Sequence, residues 1–232
     1  MPKSKREKVV SLTQTDKKGR EGKEALYRSI RDALDTCKYA WVFSVENMRN
    51  TYLKDVRAQW ADSRIFLGRT KVMAKALGNT PAEEYLDGLS RLSPLLKGTV
   101  GLLCTSHPPE LVEEWFASYS KTDFARAGTT SPLTFTVPAG AVYTRGGQVA
   151  AEDDVLLSHT LEPSVRGMGM PTLLKNGVIT LSHDYTVCKE GDLLNSNQTR
   201  LLKLFGIAVA QFEIKLLGHY DADRKDVVIR KA

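Results

Sequence analysis

The spacing of apolar residues changes several times along the chain, and each change predicts an element. Residues 1–21 are mostly Lys, Arg, Ser, Thr, Gln and Gly, the pattern of a basic flexible arm. From Gly22 onward, Leu26, Ile30, Ala33, Leu34 and Cys37 recur at helical spacing and form one apolar face. Tyr39-Ala40-Trp41-Val42-Phe43-Ser44-Val45 is a short apolar run rich in aromatic and β-branched side chains. It predicts a strand buried on both faces, as parallel strands under helices are. Met48, Tyr52, Val56 and Trp60 step by four along a second helix, and Arg64-Ile65-Phe66-Leu67 predicts a second strand, broken by Gly68. In the helix from Lys71 to Leu77, Val72, Met73, Ala76 and Leu77 face inward while Lys71 and Lys75 share the outer face. Thr80-Pro81-Ala82-Glu83 combines a cap residue, a first-position proline and a capping-box glutamate, and predicts another helix. Gly98 to Cys104 predicts a third buried strand, and Glu110 to Tyr119 a further helix. Alternation of helix and strand over residues 22–119 is the signature of a layered α/β domain.

After Lys121 the pattern changes. Gly, Pro, Thr and Ser become frequent, apolar runs shorten, and Leu133-Thr134-Phe135-Thr136-Val137 alternates like a half-exposed strand. This predicts a smaller β-rich unit that ends near Leu181, after Gly177-Val178-Ile179-Thr180-Leu181. Asn195 or Ser196 then caps a helix carrying Leu201, Leu202 and Phe205 and closed by Gly206, and Gln211 to Leu216 alternates like a final strand. The expected organisation is a basic arm at 1–21, a discontinuous α/β domain over 22–126 and 182–220, an inserted domain at 127–181 and a basic tail at 221–232.

Composition sharpens this partition. The 232 residues carry 33 Lys and Arg against 27 Asp and Glu, a net charge of +6, with 42% hydrophobic residues, which is ample for a core and excludes a disordered tail protein. No run approaches the roughly 18–20 apolar residues of a membrane helix, and the charged Met1-Pro2-Lys3-Ser4-Lys5-Arg6 has no apolar stretch behind it, which argues against secretion and a membrane partner. Cys37, Cys104 and Cys188 are odd in number and sit in apolar stretches, which predicts a reducing compartment without disulfides. The charge is unevenly placed. Residues 1–24 carry eight bases against four acids and residues 45–76 seven against three, whereas residues 101–165 have three bases against eight acids. One part of the molecule is suited to a polyanion and another is held away from it.

Few residues on this frame are placed for chemistry. There is no Walker A run, and Gly167-Met168-Gly169 lacks the third glycine of a dinucleotide-binding turn. Ser182-His183-Asp184 contains the three residue types of a hydrolase triad, but neighbouring side chains on a strand point to opposite faces. The four histidines are dispersed and the cysteines form no CxxC pair, so neither a metal nor a cofactor site is expected, and no catalytic residue. Glu152-Asp153-Asp154 reads as a solvated turn. What remains is the junction Gly68-Arg69-Thr70-Lys71 with Lys75, where free backbone N–H groups and the positive end of a helix attract phosphate. Arg49 and Asn50 follow the first strand in the equivalent place and would be near neighbours if the two strands pair. Lys5 and Arg6 in the arm are either phosphate contacts or an import signal, Lys23 adds a further cation, and Tyr27 is a candidate for base stacking as well as for the core. The bland alternative for Lys71 and Lys75 is a solvated helix face.

Phe66-Leu67-Gly68-Arg69-Thr70-Lys71-Val72-Met73-Ala74-Lys75 is similar to the strand-to-helix motif of the ribosomal stalk-base proteins, the L-ten or P-zero family. Ala125-Arg126-Ala127-Gly128 followed by Thr136-Val137-Pro138-Ala139-Gly140 resembles that family's insertion-domain signature. Gly169-Met170-Pro171-Thr172, Lys175 to Ile179 and Lys189-Glu190-Gly191-Asp192 resemble its return segment. The resemblance implies an α/β rRNA-binding domain with an inserted domain, and contacts to the stalk base, the GTPase-associated region, of large-subunit rRNA. Thr70 stands where the family usually has Asn. The chain stops at the basic Arg230-Lys231-Ala232 with no acidic stalk-bearing tail, which points to the nuclear assembly branch of the family rather than to a mature stalk protein. That branch implies a non-enzymatic placeholder in the nucleus and nucleolus, with shuttling to the cytoplasm left open. Its partners would be the pre-60S particle, neighbouring ribosomal proteins and a release factor of unknown identity.

Overall fold

A computed structural model describes residues 19–230. The elements are, in order, α1 (Arg20–Thr36), β1 (Tyr39–Glu46), α2 (Asn50–Gln59), β2 (Arg64–Phe66), α3 (Thr70–Leu77), a 3-10 segment (Leu89–Leu95), β3 (Val100–Thr105), α4 (Pro109–Ser118), β4 (Ser120–Asp123), β5 (Phe135–Val137), β6 (Gly140–Ala141), a second 3-10 turn (His159–Leu161), α5 (Glu162–Gly167), β7 (Thr172–Lys175), β8 (Val178–Leu181), β9 (Tyr185–Cys188), α6 (Ser196–Leu204), β10 (Ala210–Asp221) and β11 (Asp226–Ile229). They form two compact units, one of residues up to 44, 60–111 and from 216 onward, the other of residues 45–59 and 112–215.

In the first unit the strand order is β11-β10-β1-β3-β2. β1 runs antiparallel to β3 from Tyr39↔Thr105 to Ser44↔Val100, and β2 antiparallel to β3 from Arg64↔Cys104 to Phe66↔Leu102. The expectation of parallel neighbours is therefore corrected, and with it the idea that β1 and β2 pair, because β3 lies between them. Burial on both faces was the signal, and burial does not encode strand direction. Ala40, Val42, Leu102 and Cys104 pack on Ile30, Ala33 and Leu34 of α1 and on Met73, Ala76 and Leu77 of α3, while Trp41, Phe43 and Leu103 are equally buried on the other side.

The helix predicted at Thr80 is absent. Gly78, at φ +103°, turns the chain so sharply that a Cβ there would lie 2.3 Å from the Glu84 Cα. The capping residues serve turns instead: the Glu83 N–H donates to the Thr80 carbonyl at 3.0 Å, and the Glu84 carboxylate accepts from the N–H groups of Gly88 and Ser90. Residues 226–229, expected in a tail, form β11 against β10.

The second unit is built from short strands around Phe135, Val137, Ile179, Leu181, Val187 and Phe205. β5 pairs with β9, and β6, β8 and β7 make a three-stranded antiparallel sheet. Asn195 caps α6, its side chain accepting from the N–H groups of Asn197 and Gln198 while Gln198 closes the capping box. At the other end Gly206, at φ +74°, allows the Ile207 N–H to reach the Leu202 carbonyl at 2.8 Å, the left-handed helix stop that the sequence predicted.

Candidate nucleic-acid interface

α3 begins where β2 can no longer continue. Gly68 is bare because α1 passes close by: a Cβ there would come within 2.5 Å of the Leu26 Cδ2. Arg69, in an extended conformation, is the N-cap and supplies no side-chain hydrogen bond. Its carbonyl accepts the N–H groups of Val72 and Met73, so those of Thr70 and Lys71 remain outside the intrahelical ladder at the positive end of the helix.

The contact between α1 and α3 leaves an open groove of about 440 Å³, lined by Arg20, Lys23, Glu24 and Tyr27 from α1 and by Lys71, Val72 and Lys75 from α3. Four of the residues singled out in the sequence, Lys23, Tyr27, Lys71 and Lys75, thus meet at one place, with Gly68, Arg69 and Thr70 immediately before Lys71. The side chains of Lys23, Arg69, Lys71 and Lys75 have no ion pair among the described residues; in the groove only Arg20 has one, with Glu24 at 2.7 Å. Like charges held this close repel unless an anion lies between them.

Tyr27 is half-buried. The Arg31 guanidinium lies 4.4 Å from its ring centroid and 4.4 Å from that of Tyr85, forming a cation held between two aromatic rings. The Tyr85 hydroxyl donates to the Asp35 carboxylate at 2.8 Å, and that hydrogen bond is the main reason its pKa is raised. Sequence reasoning missed this stack. Tyr27 and Arg31 stand four apart on one helix and were legible as a pair, but Tyr85 arrives from the turn that replaced an expected helix.

Arg49 and Asn50 belong to the second unit. Asn50 is exposed at the start of α2. The Arg49 guanidinium pairs with Asp123 at 2.6 Å and donates to the Phe124 carbonyl at 2.8 Å, and the side chains of the ion pair are largely covered, at 30% and 17% exposure. Its charge is engaged within its own unit. Lys5 and Arg6 lie outside the described residues. Among the described residues, no group of three or more His, Cys, Asp or Glu side chains is placed to hold a metal ion, and no helix is long and apolar enough to cross a membrane.

Comparison with known proteins gives this geometry a context. A family model described as ribosomal protein L10 matches residues 18–121, and a second, described as the insertion domain in the 60S ribosomal protein of that same type, matches residues 125–207. The chain is 58% identical to ribosome assembly factor mrt4 of Schizosaccharomyces pombe over 220 residues, 95% of this chain and 91% of that protein. It is 46% identical to ribosome assembly factor MRT4 of Saccharomyces cerevisiae over 228 residues, 98% of this chain and 97% of that protein. Large ribosomal subunit protein uL10 of Saccharomyces cerevisiae is 23% identical over 203 residues, covering 87% of this chain and 60% of that protein.

Proposed function

The chain belongs to the Mrt4 family of ribosome assembly factors, within the wider ribosomal protein L10 group, and from that premise we propose that it binds the stalk-base region of large-subunit rRNA in nuclear pre-60S particles. It acts there as a placeholder and leaves when the mature stalk protein takes the same rRNA surface.

The observation that carries this reading is the groove between α1 and α3, where Lys23, Lys71 and Lys75 surround an opening with no carboxylate of their own to neutralise them. Phosphates of a folded RNA supply the missing charge. Release of condensed counterions provides most of the affinity, and RNA shape provides most of the specificity. Arg69 and Thr70 extend the contact to the positive end of α3, and the basic residues of the arm, Lys5 and Arg6 among them, add further phosphate contacts. The protein works without chemistry of its own, in the nucleus and nucleolus. A separate release factor, together with neighbouring ribosomal proteins of the particle, completes its set of partners.

Sedimentation of tagged protein from fractionated cells tests the proposal. Co-migration with nuclear large-subunit precursors and absence from translating ribosomes is the expected result. Residence on translating ribosomes would make it a divergent stalk-base protein instead.

A further inference from the structure

The groove has more in it than cations. Its floor is apolar, made by the Tyr27 ring and the Val72 side chain, with the ammonium groups of Lys23, Lys71 and Lys75 at the rim. Phosphates alone would be met by an exposed basic face and need no apolar floor. The volume of about 440 Å³ lies in the range of clefts that take small planar ligands, roughly 300–1,000 Å³. Tyr27 is also held in place before any ligand arrives, because Arg31 stacks on its ring and Tyr85 stacks on Arg31, itself anchored by Asp35. A rigid aromatic ring in a basic cleft loses little freedom when a second flat ring joins it.

Resting on the rRNA-binding reading above, we infer that this groove receives one unpaired, splayed-out RNA base. The base stacks against Tyr27, and Lys23, Lys71 and Lys75 hold the phosphates on either side of it. The base extends the series Tyr85, Arg31, Tyr27 by one layer. Regular A-form helix keeps its bases stacked inside and cannot supply such a ligand, so the groove selects a loop or bulge within the bound RNA. Arg31 is a positioning residue in this scheme: it acts through Tyr27.

The test uses the full chain and a stalk-base rRNA fragment carrying 2-aminopurine at each unpaired purine in turn, with a fully paired duplex of equal length as control. One probe position should change its fluorescence on binding, and Tyr27→Leu should abolish that change and weaken binding to the fragment roughly tenfold, with the salt dependence unaltered. Tyr27→Phe should retain both. Val72→Trp, which fills the groove from α3 and leaves the tyrosine stack alone, should also abolish the probe response and serves if Tyr27→Leu does not fold. Unchanged affinity and probe response in Tyr27→Leu or Val72→Trp, or equal weakening on the paired duplex, would overturn the inference while leaving rRNA binding intact. Absence of salt-dependent binding by the wild-type chain would overturn both.

Discussion

The chain contains two junctions that look alike in sequence, Asn47-Met48-Arg49-Asn50 after β1 and Gly68-Arg69-Thr70-Lys71 after β2. Each follows a strand, each opens a helix and each carries basic residues. In the first, the Asn47 side chain donates to the Gln211 carbonyl at 2.7 Å, and Arg49 is bound to Asp123 and Phe124. In the second, Arg69 and Lys71 stand exposed with no acidic partner among the described residues. The difference comes from what the rest of the fold delivers. β4 brings an aspartate, distant in sequence, to Arg49, whereas the helix that packs beside α3 brings Lys23. A basic residue at a strand-to-helix junction is therefore a ligand site only where the tertiary structure leaves it unneutralised.

Replacing both exposed lysines should separate the junctions most clearly. Lys71→Ala/Lys75→Ala is expected to weaken binding to a stalk-base rRNA fragment roughly hundredfold at about 0.1 M salt, if each lysine meets one phosphate. Its unfolding free energy should stay within about 0.5 kcal/mol of wild type, as for other exposed substitutions. Arg49→Met should behave in the opposite way. Loss of its charge-assisted hydrogen bonds, with Asp123 left partly covered, should cost about 2 kcal/mol in denaturant unfolding and leave rRNA affinity near wild type. A large loss of affinity with unchanged stability would make the two junctions equivalent after all.

Two smaller effects extend the contrast to the rest of the second unit. Asn195→Ala removes both halves of the α6 capping box and should lower stability by about 1 kcal/mol, read from the denaturation midpoint, without altering RNA binding. Asp154 belongs to the acidic run that the sequence presented as a solvated turn, yet it works as a local brace. Its carboxylate accepts from the Thr144 hydroxyl at 2.6 Å and from the N–H groups of Arg145 and Val155. Burial pushes its pKa up, but these hydrogen bonds outweigh that and hold it below the ordinary carboxylate value. A depressed folded-state pKa contributes stability that is complete above roughly pH 4 and disappears as the pH falls through the lower, folded value. Asp154→Asn should flatten that acid limb of the stability profile slightly, and an unchanged profile would remove the brace.

Much of the architecture was legible because its signals are local. The α1 and α3 stripes, the apolar run of β1, the Asn195 cap and the Gly206 stop each depend on residues within a few positions of one another. The parts that were not legible depend on partners far away. Antiparallel pairing through β3 left no mark on a run of residues buried on both sides. Thr80 to Glu83 carried a helix-start signature that lost to the reversal at Gly78. For the candidate site, the gathering of Lys71 and Lys75 on one helix face followed from spacing, but their meeting with Lys23 and Tyr27 required the packing of α1, and the Tyr85 layer required the turn. Arg49 shows the reverse case, in which a sound local signal was claimed by a distant aspartate.

The central claim is that Lys71 and Lys75 each meet an RNA phosphate while Arg49 meets none. The direct measurement is the slope of log binding constant against log salt for a stalk-base rRNA fragment, taken for the wild type, Lys71→Ala, Lys75→Ala and Arg49→Met. The account predicts that each lysine variant lowers the magnitude of the slope by about 1 and that Arg49→Met keeps the wild-type slope. Wild-type slopes in both lysine variants would contradict it.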